Sequence, residues 1–244
     1  MKRVIVIGES CRDIFVYCSA NRLAPDLPVP VLQVESETSN PGMAANVCRN
    51  IQAIGLDAEL FTNLDWQSIS KTRYMHSQTN HMFLRVDTPH NIEAAPHLPS
   101  LKDFEAVVIS DYNKGFLSEE LISKICSSHP LVFLDTKKPL NSWAEQATYI
   151  KINDFEFNRS LKTMSQQLRE NVIHTIGMGG AIYKGVTYPV RPVEVVDSSG
   201  AGDAFMASLV CNFLKTKDIE QSISAANEAA SKVVAKRGVS LIES

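Results

Sequence analysis

Asp197-Ser198-Ser199-Gly200-Ala201-Gly202-Asp203-Ala204-Phe205 sets two glycines around an alanine, follows them at once with an acid, and leads into an apolar run that extends through Cys211. The run reads as a buried helix, so the glycine turn feeds a helix N-terminus. Backbone N–H groups without an intrahelical partner point out of such a turn, and the helix dipole adds partial positive charge, which suits an anion such as phosphate. Asp203 falls in that anion site. A carboxylate there repels phosphate unless it has a task, and taking a proton from a hydroxyl that attacks the phosphate is one. By spacing alone, an Asp in a first helical turn is equally an ordinary partner for the dipole.

The chain has 244 residues, 44% of them hydrophobic, enough for one sizeable core, and no linker or low-complexity block divides it. A single unit spanning 1–244 is expected. A net charge of −3 argues against a general nucleic-acid or membrane surface, so an anionic substrate must be met by local lysines and arginines. No apolar run approaches membrane-spanning length and the N-terminus enters a strand directly, so neither an anchor nor a signal peptide is expected and the protein is placed in the cytoplasm. Its five cysteines are scattered and odd in number, which suits reduced core thiols better than disulfides or zinc.

Residues 2–7 lead into a Val-Ile-Val-Ile run closing at Gly8, as in a buried parallel strand with a loop at its C-terminal end, where ligands of α/β sheets gather. Asp13 follows, and alone it reads as a solvated turn residue. Residues 14–37 are β-prone, with prolines too dense over 24–31 for a central strand, so edge strands outside the main sheet are expected. Asn40-Pro41-Gly42-Met43 reads as a turn into a helix with apolar positions Val47, Ile51 and Ile54 and a stop at Gly55. Runs at 71–76 and 82–87 make a hairpin whose Lys71, Arg73 and Arg85 read by themselves as charge on an exposed sheet edge. Strands at 106–109, 131–134 and 148–151 alternate with helical stretches, which implies right-handed crossovers and a largely parallel sheet. Asn153 and Glu156, three apart, share one face of a first helical turn and by spacing alone are a cap. In Thr175-Ile176-Gly177-Met178-Gly179-Gly180 the glycines let backbone approach a phosphate, a weak signal in isolation. His76 and His174 have no companion at metal-ligand spacing and are read as structural.

Taken together, these strings resemble the ribokinase-like (PfkB) carbohydrate kinases. Residues 197–205 are similar to that family's Asp-Thr-x-Gly-Ala-Gly-Asp-x-Phe signature, with Ser198 where threonine is usual, and residues 41–55 to its Gly-Gly-x-Ala-x-Asn helix signature, with Met43 in place of the second glycine. The proline-rich stretch 24–31, Lys71-Thr72-Arg73, Leu84-Arg85-Val86-Asp87 and Ser110-Asp111-Tyr112-Asn113-Lys114-Gly115 look most like the kinase domain of the bacterial D-glycero-β-D-manno-heptose-7-phosphate kinases. Nothing here resembles the nucleotidyltransferase half that some of those kinases carry, so no fused second activity is expected.

The resemblance implies a three-layer αβα fold with a mostly parallel central sheet and a small β lid made from about 14–40 and 71–88. The helix and strand that usually follow a strand at 60–62 are nearly absent, so the sheet is expected to be short by one unit. It implies Asp203 as catalytic base, with Gly200, Ala201 and Gly202 as its anion hole, and Asp13, Gly42 and Asn46 on the sugar. Lys71, Arg73 and Arg85 would clamp a substrate phosphate, while Thr175, Gly177, Gly180 and Asn227 would line the ATP cleft. Asn153 and Glu156 would hold Mg²⁺ through water, and some members of the family also bind K⁺ beside the Asp197 loop. A homodimer paired through the lid is expected, since the family's lid doubles as a dimer clasp. Alternatives are a kinase of a neutral sugar such as ribose or fructose, a silent sugar or nucleotide binder, as Met43 and the missing unit suggest, and an interaction protein using the lid surface. The retained Asp203, Asn153 and Glu156 speak against silence.

Overall fold

The structure, a computed structural model, describes residues 2–79, 81–89 and 91–242. Met1, Asn80, His90, Glu243 and Ser244 fall within the expected unit 1–244, and Asn80 within its lid, but lie outside the described residues. The strands are β1 (Arg3–Gly8), β2 (Ser10–Ser19), β3 (Gln33–Met43), β4 (Asp57–Phe61), β5 (Ser70–His76), β6 (Met82–Asp87), β7 (Ala106–Asp111), β8 (Val132–Thr136), β9 (Tyr149–Asn153), β10 (Val172–Thr175), β11 (Ala181–Tyr183) and β12 (Val186–Tyr188). The helices are α1 (Ala44–Ala53), α2 (Glu119–Ser128), α3 (Asp154–Ser160), α4 (Gln166–Arg169), α5 (Ala201–Thr216) and α6 (Ile219–Val234).

The central sheet runs β12-β11-β10-β9-β8-β7-β1-β4, parallel from β10 to β4 and antiparallel across β11 and β12. Its strands read as continuous apolar runs because both faces are buried. Val4, Val6, Val108 and Phe133 pack with Val47 and Ile51 of α1, Phe205 and Leu209 of α5 and Ile223 of α6. Ile5, Ile7, Val107, Ile109 and Leu134 face the other way onto Ile122 and Ile125 of α2. Helix α5 is apolar almost all round because it packs on the sheet with α1 and α6 beside it.

At the other end the sheet stops at β4, and the chain passes from Phe61 to the lid at Ser70 with no intervening helix or strand, in keeping with the expected loss of one unit. Asn63 closes this short cut, its Oδ1 accepting from the Ser10 N–H at 2.9 Å and its Nδ2 donating to Asp65 Oδ1 at 2.9 Å. The exposed edge carries Asp57 and Glu59, both paired to Arg3, the kind of charge that discourages pairing with another strand.

The lid is a four-stranded sheet ordered β3-β2-β5-β6. It begins at Ser10, earlier than expected, so Asp13 lies within a strand and is buried rather than in a solvated turn. Residues 40–42 likewise continue β3, paired to β2, where a turn was expected. Between β2 and β3 the prolines withhold N–H donors, and the only bridge across this segment among the described residues joins Leu23 to Pro30.

Met43 joins lid to helix with φ 62° and ψ −132°, a conformation nearly reserved for glycine that costs a side-chain-bearing residue on the order of 1–3 kcal/mol. Its side chain is only 4% exposed and packs in the core with Ile5, Cys11 and Ile69. That burial contributes about 1.5–3 kcal/mol and offsets the strain. The side chain is therefore part of the core.

Candidate active site

The ends of β7, β8, β9 and β10 and the start of α5 converge on one cleft of about 640 Å³, which none of Asp13, Gly42, Asn46, Lys71, Arg73 and Arg85 lines. Gly200 turns the chain into α5 with φ 80°, and Asp197 braces the turn, accepting from the Ser199 N–H at 2.8 Å and the Gly238 N–H at 3.1 Å. Of the expected anion-hole donors, the Ala201 N–H already donates to the Ser198 carbonyl at 3.3 Å, while Gly200, Ala201 and Gly202 all line the cleft. A Cβ on Gly202 would sit 2.8 Å from Lys151 Nζ, so the bare glycine lets that ammonium approach the turn.

Asp203, in the first turn of α5, is 7% exposed. Its Oδ2 accepts from Asn46 Nδ2 at 2.8 Å and its Oδ1 from the Tyr112 hydroxyl at 3.0 Å. Burial raises its carboxyl to about 6; the Asn46 hydrogen bond opposes the rise, the Asp135 charge adds to it, and Lys151 and Tyr112 oppose it. Asp135 is also buried, yet Lys137 and Lys151 hold its carboxyl below the usual carboxylate range. Lys151 Nζ lies 2.8 Å from Asp135 Oδ2, and Lys137 Nζ reaches Asp135 at 3.4 Å and Glu156 Oε1 at 2.6 Å. Two ammoniums and one protonatable acid thus face the same helix start.

On the lid, Asp13 Oδ1 pairs with Arg73 Nη1 at 2.6 Å, and the guanidinium lies over the Phe15 ring at 5.1 Å. Gly42 lies against the same carboxylate, since a Cβ there would meet Asp13 Oδ2 at 2.4 Å. One nitrogen of the Arg73 guanidinium is therefore engaged by Asp13. Arg85, its register partner on β6, is exposed and bonded to Asp87 at 2.8 Å and 3.1 Å. Lys71 reaches inward instead, its Nζ 5.0 Å from the centre of the Tyr112 ring. Of the residues expected around a nucleotide, Asn153, Thr175, Gly177, Gly180 and Asn227 all line the cleft, whereas Glu156 is buried and does not. Asn227 Nδ2 donates to the Tyr188 carbonyl at 2.8 Å, which turns its amide oxygen free of that bond.

A model of the pfkB family carbohydrate kinases matches residues 69–244. The chain belongs to that family. Among relatives of this kinase, the Bifunctional protein HldE of Helicobacter pylori strain J99 is 30% identical over an alignment of 298 positions, gaps included, that covers 99% of this chain. The chain spans 64% of that relative's length. Solved structures with the same ribokinase-like fold include a nucleoside kinase of Methanocaldococcus jannaschii (TM-score 0.73, 19% identity, 98% of this chain and 93% of that one). Another is the Arabidopsis thaliana ribokinase complexed with ribose and ATP (TM-score 0.70, 15% identity, 98% and 94%).

For a kinase of this family the fit of Mg²⁺ turns on Glu156. Its Oε1 accepts from Lys137 and from Asn153 Nδ2 at 3.0 Å, and its Oε2 from the Asn153 N–H at 2.8 Å, so neither oxygen is idle. Among the described residues no three His, Cys, Asp or Glu side chains converge to hold a metal. Such a donor set suits an ion that stays hydrated and takes its direct ligands from nucleotide oxygens. Sequence reasoning gave no role to Tyr112, Asp135, Lys137 or Lys151. The available signal was position, because Tyr112, Asp135 and Lys137 lie at or just beyond the C-terminal end of a parallel strand and Lys151 lies within one.

Proposed function

We propose that this carbohydrate kinase transfers the γ-phosphoryl group of ATP to a phosphorylated sugar, with the anomeric hydroxyl of a heptose 7-phosphate as the leading acceptor. The observation that carries the reading is Asp203, a buried carboxyl at about 6 set in a helix N-terminal turn that faces Lys151 and Lys137. A group poised there is ionised at neutral pH yet basic enough to take a hydroxyl proton. Asn46 orients it, and Asp13, held by Arg73 and backed by Gly42, accepts hydrogen bonds from the sugar. The N–H groups of Gly200 and Gly202, and that of Ala201 once it leaves the Ser198 carbonyl, together with Lys151 meet the charge that grows on the phosphoryl oxygens. Thr175, Gly177, Gly180 and Asn227 line the ATP side. Mg²⁺ would neutralise the nucleotide phosphates, with Asn153 and Glu156 supporting its water shell. The site lies in the cytoplasm in this reading, and the five buried free thiols suit a reducing compartment.

A phosphorylated acceptor is supported by Lys71, Arg73 and Arg85 on one face of the lid and by relatives that carry the name HldE. Arg85 is the cation to remove, since losing Arg73 also releases Asp13. Arg85→Ala is expected to raise KM for heptose 7-phosphate several-fold with kcat little changed, in steady-state assays run beside ribose and fructose. A neutral sugar preferred tenfold in kcat/KM, about 1.4 kcal/mol, would overturn the substrate class.

The lid's opposite face carries Leu84 (45% exposed) and Val86 (52% exposed), and Leu27 of the proline-rich segment is exposed as well. We read this apolar surface as the seam of a homodimer, because covering it is favourable. Light scattering coupled to size exclusion should give twice the chain mass at micromolar concentration. A monomer mass rules the pairing out.

A further inference from the structure

Tyr112 lies just beyond β7 in a loop whose backbone is turned twice into the left-handed region, at Asn113 (φ 56°) and Gly115 (φ 107°). One buried carboxylate holds this loop in shape. Glu9, with no exposed surface, accepts the Tyr112 N–H at 2.8 Å on Oε2, and the Lys114 and Phe116 N–H groups at 2.9 Å and 3.3 Å on Oε1. Glu9 also stands where the chain leaves the central sheet for the lid, and its own carbonyl accepts from the Ala44 N–H at 3.0 Å, at the start of the helix that carries Asn46. The loop thus fixed points the Tyr112 hydroxyl at Asp203 Oδ1, 3.0 Å away. The ring is flanked by two ammoniums, Lys71 from the lid at 5.0 Å and Lys137 from beyond β8 at 5.4 Å from its centre.

We propose that Tyr112, held by Glu9, is a positioning residue for the base Asp203. Asn46 takes one carboxylate oxygen and Tyr112 the other, so the two donors fix the plane of the group and aim a remaining lone pair at the cleft, where an acceptor hydroxyl arrives. Donation by the phenol also favours the ionised carboxylate. The inference rests on the kinase reading above and adds two residues to it that neither signature contains.

The charged and titratable groups around Asp203 are Asp135 on β8, Lys151 on β9, Lys71, Asp13 and Cys11 on the lid, and Tyr112 itself. Tyr112→Phe removes only a hydroxyl and keeps the ring that excludes water. In Tyr112→Phe, kcat is expected to fall roughly tenfold or more with KM for ATP unchanged, because the base is no longer aimed. The acidic limb of the kcat profile should move to higher pH, since the lost donor had favoured the charged form. A ¹³C-carboxyl NMR titration without nucleotide, following the signal that disappears in Asp203→Asn, should show the same upward move. Glu9→Gln should reproduce both changes and add nothing in the Tyr112→Phe background, as expected when one residue acts through the other. If Tyr112→Phe keeps kcat within twofold and the carboxyl midpoint stays put while Asp203→Asn is inert, Tyr112 is merely packed there and the inference falls with the kinase reading intact. Full turnover by Asp203→Asn would instead remove the base on which the inference stands.

Discussion

Asp203→Asn is expected to lower turnover by roughly 10² to 10⁴ while leaving ATP affinity nearly unchanged, as loss of a general base does. The same substitution should stabilise the protein at neutral pH. Burial raises the folded-state carboxyl from 3.8 to about 6, so the ionised form is disfavoured in the fold. The stability linked to this group is fully present below about pH 4 and is lost as pH rises through about 6, a cost on the order of 3 kcal/mol at neutral pH. An asparagine there carries no charge to bury, and its amide can still meet Asn46 and Tyr112. Urea denaturation should therefore show the stability of Asp203→Asn gaining on wild type by about 2 kcal/mol between pH 4.5 and 7.5. Turnover within threefold of wild type would remove Asp203 as the base, and a flat stability difference across that range would remove the shifted carboxyl. A base kept at the expense of stability is the pattern expected of a functional site.

Gly8→Ala should be the most damaging single methyl group in the central sheet. Gly8 ends β1 directly beside Ser110 of β7, and a Cβ built on it would lie 1.9 Å from the Ser110 carbonyl oxygen and 3.3 Å from the Ala44 methyl. Backbone cannot rotate away as a side chain can, so the two central strands must part. The expected loss is roughly 3 kcal/mol or more, visible as a lower urea midpoint with the slope unchanged. Kinase activity should fall as well, because Glu9 follows Gly8 and anchors the Tyr112 loop. A destabilisation below 1 kcal/mol would mean that the strands are not so closely apposed.

Fold class and family were legible in the chain because their signals are local. The apolar strand runs, the Gly200-Ala201-Gly202-Asp203 turn into an apolar helix and the shortened passage after Phe61 each sit within a dozen residues. The candidate site was legible where a motif carries its own geometry, as at Asp203, Asn153 and Gly180. At Gly180 the φ of 94° and a Tyr188 carbonyl 2.1 Å from any added Cβ demand glycine.

The sequence could also say that Asp13, Asn46, Arg73 and Lys151 are polar residues near strand ends or on the lid. It could not say which of them meet. Asn46 and Asp203 are 157 residues apart and share a hydrogen bond, and Tyr112 reaches the same carboxylate from 91 residues away. That Arg73 meets Asp13 depended on the pairing of β2 with β5, in which Arg73 lies beside Phe15 on the face that also carries Asp13. The cost of Met43's backbone and the burial that offsets it belong likewise to the folded state. Local patterns set what each segment becomes, because helix and strand periods are written in neighbouring residues. Partners of charged groups, and so their proton affinities, depend on burial and on distances across the chain, which only tertiary packing decides.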